Sequence, residues 1–114
     1  MKTKLKHIHF IAICGTAMGS LAAMLKSQGN KITGSDEHVY PPMSTFLENR
    51  GIQIYRGFNK SHLSPKPDLV IIGNAMSRGN AEVEAVLEQK IPYTSMPAAL
   101  KEFFIQGKRP QLRW

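Results

Sequence analysis

The segment "CGTAMGS" at residues 14–20 carries the clearest chemical signal in the sequence. Gly15 permits a tight turn, and Gly19 would let a phosphate approach the backbone of a following helix. Thr16 and Ser20 add hydroxyl groups. The first N–H groups of a helix have no partner within the helix and lie at the positive end of its dipole. The segment therefore predicts an anion-binding loop in preference to a plain strand-to-helix turn.

The glycine spacing disfavours a dinucleotide site. The dinucleotide fingerprint requires glycines in the pattern GxGxxG, and a register that starts at Gly15 has Ala17 and Ser20 at the other two positions. The ATP-binding pattern GxxxxGK[ST] does not occur in the sequence either. The residues by themselves thus indicate a nucleotide-type phosphate binder that carries no catalytic centre.

Asp36 is the second candidate for ligand binding. It lies 21 residues beyond Gly15, at the end of the second strand signal, where a carboxylate can accept hydrogen bonds from a ribose or a base edge. A solvated turn aspartate is the alternative. Since Asp36 is expected to contact the nucleoside, its replacement by alanine should weaken nucleoside binding more than pyrophosphate binding.

A third candidate segment, "GNAMSRGN" at residues 73–80, follows a strongly apolar strand signal. Asn80 fits the N-cap of the next helix better than it fits a ligand site. Arg78 is expected to be solvated. The residues at the strand end are predicted to line the ligand crevice, namely Asn74, Ala75 and Met76.

Other reactive side chains lack the neighbours that chemistry would require. Cys14 has no general base beside it in the sequence and is predicted to be a small buried hydrophobic residue. The four histidines do not show a metal-ligand spacing. We therefore predict neither a catalytic residue nor a metal site.

Strand and helix signals alternate along the whole chain. Strands are predicted at residues 7–13, 31–36, 52–57, 69–73 and 91–95, and helices at about 17–28, 43–50, 81–89 and 97–107. Such alternation predicts a Rossmann-like, three-layer α/β domain with a mostly parallel five-stranded sheet. Ligands of such sheets bind at the carboxyl ends of the strands, where the strand order reverses.

Composition sets the broad class. With 114 residues, 42% of them hydrophobic, the chain can form one soluble domain. No apolar run approaches the length of about 20 residues that spans a bilayer, so no membrane association is expected. The net charge of +7 is spread along the chain without a nucleic-acid-binding pattern. A single cysteine suits the reducing cytoplasm.

Four segments together resemble the amino-terminal domain of the Mur ligases over about residues 5–110: "AICGTAMGSLAAML", "GSDEHVYPPMSTFLENRGI", "PDLVIIGNAMSRGN" and "IPYTSMPAALKEF". The resemblance implies a domain that binds the UDP part of UDP-N-acetylmuramate. It also implies a central domain that binds ATP and Mg²⁺, and a third domain that brings the incoming peptide. "YPPMST" with "GNAMSRGN" resembles the branch that joins UDP-N-acetylmuramate to L-Ala-γ-D-Glu-meso-diaminopimelate in peptidoglycan recycling.

The resemblance also assigns residues and boundaries. It implies that the diphosphate is surrounded by Gly15, Thr16, Ala17, Met18 and Gly19, that the uridine is held by Ser35 and Asp36, and that the same crevice is lined by Asn74, Ala75 and Met76. Residues 1–107 would form the binding domain, and residues 108–114 a truncated linker toward an absent ATP-binding domain. The chain alone is then expected to bind its substrate without catalysis.

Two alternatives stay open at this point. One is the corresponding domain of a UDP-N-acetylmuramate–L-alanine ligase, and the other is a stand-alone NAD(H)-binding Rossmann module. If the loop at residues 14–20 binds phosphate, a valine in place of Gly19 is expected to block that binding and to spare the fold.

Overall fold

The computed structural model describes residues 6–73, 80–99 and 101. Five parallel strands form one sheet in the order β3-β2-β1-β4-β5. Their bounds are β1 (His7–Ile11), β2 (Lys31–Asp36), β3 (Gln53–Arg56), β4 (Leu69–Ile72) and β5 (Tyr93–Ser95). The predicted parallel α/β fold is confirmed.

Helices follow β1, β2, β4 and β5. Their bounds are α1 (Thr16–Ser27), α2 (Met43–Glu48), α3 (Ala81–Glu88) and α4 (Met96–Ala99). A 3₁₀ turn (Lys60–Leu63) precedes β4. β1 ends at Ile11, two residues earlier than the apolar pattern suggests, because Ala12 takes a φ of 76° and turns the chain out of the sheet. The predicted N-cap is confirmed, because the Asn80 side chain accepts the N–H groups of Glu82 and Val83. Gly29 takes a φ of 99° after α1, a backbone conformation that glycine favours at a helix end.

Each face of the sheet is covered by its own apolar cluster. Ile8 and Phe10 of β1 pack on one face with α1, α2 and α4, whereas Ile11 packs on the other face with the 3₁₀ turn and α3. Because side chains alternate along a strand, His9 lies on the same face as Ile11, the face that α3 covers. None of the helices in the described ranges is long and apolar enough to cross a membrane.

Gly34 in β2 makes room for the turn that follows β1. A Cβ atom at Gly34 would lie 2.4 Å from Cδ1 of Ile13 and 2.6 Å from its Cβ. Ile13 is itself fully buried, so it has little room to move away.

We expect Gly34→Ala to lower the free energy of unfolding by about 1–3 kcal/mol, because the added methyl group overpacks the core at Ile13. Urea unfolding followed by circular dichroism would measure the loss. Gly15→Ala is the control, since its added Cβ would meet no described atom closer than 3.8 Å. Equal stability of the two variants would contradict this packing role.

Candidate functional site

The strand order reverses between β1 and β4, so a crevice is expected at the carboxyl ends of these two strands. Gly73 follows β4 and donates its N–H to the carbonyl of Ile11 at 3.0 Å. A Cβ atom on Gly73 would lie 3.1 Å from Cβ of Ala12. The backbone after β4 thus lies directly against the turn that follows β1, and both border the crevice.

The start of α1 offers backbone donors at this crevice. The N–H of Gly19 forms the first bond of the helix, to the carbonyl of Gly15 at 2.7 Å. Among the described residues, no acceptor contacts the N–H groups of Thr16, Ala17 and Met18. Thr16 and Ala17 are exposed. These three donors can bind an anion, and the helix dipole favours one there.

Asp36 holds the turn in front of these donors. One carboxylate oxygen of Asp36, Oδ2, accepts the N–H of Cys14 at 3.0 Å. The other, Oδ1, accepts the N–H of His38 at 2.9 Å. The Asp36 side chain is only 8% exposed. The carboxylate therefore ties the two loops that follow β1 and β2 to each other.

Gly19 lies in the contact between two helices. A Cβ atom at Gly19 would lie 2.5 Å from the sulfur of Met43, and the residue is buried. Its N–H is also bonded within the start of α1. A valine here would require the flexible end of the Met43 side chain to move, and the expectation that Gly19→Val spares the fold stays a prediction.

The side chain of Ser35 contacts Glu82. Its hydroxyl is fully buried and donates to Oε1 of Glu82 at 2.8 Å, on the α3 face of the sheet. Its carbonyl accepts the N–H groups of Ala12 and Ile13 at 2.7 and 3.1 Å. Ser35 thus contacts the turn after β1 through its backbone, while its side chain points away from the crevice.

The other candidate residues have simpler outcomes. Cys14 is half-buried against the apolar cluster of α1, and burial, with Asp36 and Glu48 nearby, raises the pKa of its thiol to about 11. The thiol is therefore protonated at neutral pH and is a poor nucleophile. Among the described residues, no group of three or more histidine, cysteine or acidic side chains is arranged around a metal position. Asn74, Ala75 and Met76, like residues 108–114, lie outside the described residues.

Sequence reasoning missed Glu82. This residue on α3 is fully buried, and its carboxylate contacts His9, Ser35 and His62. Burial alone would raise the pKa of Glu82, but hydrogen bonds from these side chains outweigh burial and lower the pKa below its usual range. A signal for a buried polar cluster was present in the sequence: two otherwise apolar strands carry alternate polar residues, His7 and His9 in β1 and Thr33 and Ser35 in β2.

Because the pKa of Glu82 is lowered, the free energy of unfolding should depend on pH in the acidic range. A carboxyl group whose pKa is lower in the folded than in the unfolded chain stabilises the fold above its unfolded value of about 4.3. That contribution is lost as the pH falls through the lowered pKa. We therefore expect the gap in unfolding free energy between the parent and Glu82→Gln to be largest at neutral pH and to narrow below about pH 4. Urea titrations across this range would measure it, and a constant gap would contradict the assignment.

The chain matches a known family over nearly its whole length. The model of the "Mur ligase family, catalytic domain" matches residues 7–108. The UDP-N-acetylmuramate–L-alanyl-γ-D-glutamyl-meso-2,6-diaminoheptandioate ligase of Escherichia coli K12 is 55% identical over 101 residues, which are 89% of this chain and 22% of that protein. The ligase of the same name from Haemophilus influenzae is 51% identical over 104 residues, 91% of this chain and 23% of that protein.

A solved structure agrees with the sequence comparison. The murein peptide ligase of Psychrobacter arcticus 273-4 superposes with a TM-score of 0.85 at 50% identity, and the match covers 89% of this chain and 21% of that one. The chain thus spans about a fifth of the length of the relatives it matches. The matched family model, the two ligases and the shared fold lead to one conclusion: the chain belongs to the Mur ligase family.

Proposed function

We propose that this chain binds the UDP part of UDP-N-acetylmuramate in a ligase that joins this nucleotide sugar to an L-alanyl-γ-D-glutamyl-meso-diaminopimelate peptide for peptidoglycan recycling. The observation that carries the proposal is the start of α1, where the N–H groups of Thr16, Ala17 and Met18 have no acceptor among the described residues. A diphosphate bound there would accept these N–H groups and interact favourably with the helix dipole.

Asp36 supports the proposal by holding this loop in place before a ligand arrives. Its two carboxylate oxygens already accept the N–H groups of Cys14 and His38, so the loop needs less ordering on binding. Ala17 and Thr16 would line the diphosphate, and the backbone on either side of Asp36 would face the nucleoside. The net charge of +7 would attract the anionic ligand over longer distances.

The remaining steps of the reaction are assigned to other parts of the ligase. The sequence does not contain the GxxxxGK[ST] pattern of the usual ATP-binding loop. ATP, Mg²⁺ and the acceptor peptide would bind in the central and carboxyl-terminal domains that the longer relatives have room for. The ligases at 55% and 51% identity are both named for the peptide acceptor, which favours it over L-alanine alone. We propose in addition that the protein acts in the cytoplasm.

Calorimetric titration of the purified chain tests the proposal. UDP-N-acetylmuramate and UDP should bind with measurable heat, and inorganic pyrophosphate should bind more weakly because it makes only the phosphate contacts. NADH should bind weakly or not at all. Tight NADH binding without UDP-N-acetylmuramate binding would replace the proposal with the dinucleotide alternative. Absence of heat with UDP at millimolar concentration would show that the chain alone has no functional crevice.

A further inference from the structure

A buried polar cluster on the α3 face is not used by the proposed ligand site. We call Glu82, His9, Ser35 and His62 the Glu82 cluster. Oε1 of Glu82 contacts Nε2 of His9 and the Ser35 hydroxyl, each at 2.8 Å. Oε2 contacts Nδ1 of His62 at 2.6 Å and accepts the N–H of Asn59 at 3.1 Å. Glu82 and His9 are both 0% exposed.

One assignment of hydrogens satisfies the whole cluster. Nε2–H of His7 donates to the Thr33 hydroxyl, which donates to Nδ1 of His9. Nε2–H of His9 then donates to Glu82. With the ionised carboxylate accepting from Ser35, His62 and Asn59 as well, each of these contacts has one donor and one acceptor. A buried charge requires such complete pairing.

The cluster connects the carboxyl end of β2 with the start of α3. Ser35 binds Glu82 through its hydroxyl, while its carbonyl accepts the N–H groups of Ala12 and Ile13. The next residue, Asp36, accepts the N–H of Cys14. Three consecutive backbone N–H groups before the phosphate loop are thus held by the two residues at the end of β2. Glu82 fixes one of those residues from the opposite face of the sheet.

We propose that Glu82 is a positioning residue for the crevice: its carboxylate holds the end of β2 against the start of α3 and thereby keeps the turn at residues 12–14 in its binding conformation. Only the consequence for ligand affinity rests on the proposed function. The position of the turn is a property of the ligand-free chain.

The titratable groups around this carboxylate come from three elements. His9 of β1 and His62 of the 3₁₀ turn contact it directly, and His7 reaches it through Thr33 and His9. Tyr55 of β3 stacks on His62, with ring centroids 4.2 Å apart. Asn59 adds a backbone N–H. A glutamine at position 82 would have the same shape, but its amide group would present hydrogens to one pair of these donors.

Amide hydrogen exchange of the ligand-free chain tests the proposal. For Glu82→Gln we expect about tenfold faster exchange at Ala12, Ile13 and Cys14 than in the parent. The change should be smaller at Val70 of β4, whose N–H donates to the carbonyl of Pro92. Glu88→Gln removes the same charge from an exposed position on α3 and should leave all four amides unchanged. Titration with UDP-N-acetylmuramate should show about tenfold weaker binding for Glu82→Gln only.

Each outcome is decisive. Unchanged exchange at residues 12–14, or an increase equal to that at Val70, would overturn the proposal, because Glu82 would then act only on global stability. Faster exchange at residues 12–14 with unchanged affinity would overturn the link to binding. If the parent itself bound no UDP-N-acetylmuramate, the proposed function would fail, while the exchange comparison would still decide the positioning role.

Ser35→Ala is the second variant, in case Glu82→Gln does not fold. It removes the one hydroxyl that joins the carboxylate to β2 and leaves Glu82 its contacts with His9, His62 and Asn59. We expect the same pattern of faster exchange at Ala12 and Ile13, at a smaller amplitude. Parent-like exchange in Ser35→Ala would overturn the proposal.

Discussion

Thr16→Pro should weaken binding of UDP-N-acetylmuramate by about 10- to 100-fold while the chain stays folded. Proline removes the N–H of the first residue in α1, and a hydrogen bond to a charged ligand contributes about 1.5–3 kcal/mol. The substitution suits the helix, because proline is favoured at its first position. The preceding residue, Gly15, already has an extended conformation, with φ −67° and ψ 149°, which a following proline requires.

The matched control is Thr16→Ala, which removes the hydroxyl and keeps the N–H. Calorimetry should place its affinity close to that of the parent, and circular dichroism should show the same thermal transition for parent and both variants. If Thr16→Pro bound as tightly as Thr16→Ala, the backbone donors of α1 would not hold the diphosphate. If Thr16→Ala lost as much affinity as Thr16→Pro, the hydroxyl and not the backbone would be the contact.

Asp36→Asn should weaken binding of inorganic pyrophosphate and of UDP by the same factor, about tenfold. The reason is that both oxygens of Asp36 accept backbone N–H groups, from Cys14 and His38. Asparagine keeps one acceptor and places its amide hydrogens against the other N–H. The loss therefore acts on the shape of the phosphate loop. From the sequence alone, Asp36→Ala was expected to weaken nucleoside binding more than pyrophosphate binding.

Glu37→Gln is the control for charge. It removes one negative charge from the neighbouring residue, whose side chain is 68% exposed, and should leave both affinities within about twofold of the parent. Calorimetric titrations of pyrophosphate and UDP against the three chains would give the comparison. A loss of UDP affinity in Asp36→Asn without a loss of pyrophosphate affinity would mean that Asp36 contacts the nucleoside directly.

Local features of the chain were predictable because neighbouring residues produce them. The alternation of strand and helix signals determined the parallel α/β fold, since consecutive parallel strands need a crossover. Asn80 begins a helix as predicted, because an N-cap depends on residues within a few positions. The turn at residues 14–20 and the helix N–H groups after it were likewise predicted from the residues of that segment.

The contacts that were not predicted all depend on residues far apart in the sequence. Gly19 lies against Met43, and the Ser35 hydroxyl points to Glu82. Neither Met43 nor Glu82 could be identified as a partner from the sequence. Helix packing places Met43 against Gly19, and the orientation of β2 in the sheet points the Ser35 hydroxyl toward Glu82.

Periodicity and short-range hydrogen bonding were enough to predict the order of the elements and the place of the phosphate loop. The way in which that loop is held depends on contacts between distant parts of the chain. Asp36 and Ser35 of β2 meet the turn after β1, and Glu82 of α3 meets Ser35. These contacts form only when parallel strands bring their carboxyl ends to one edge of the sheet.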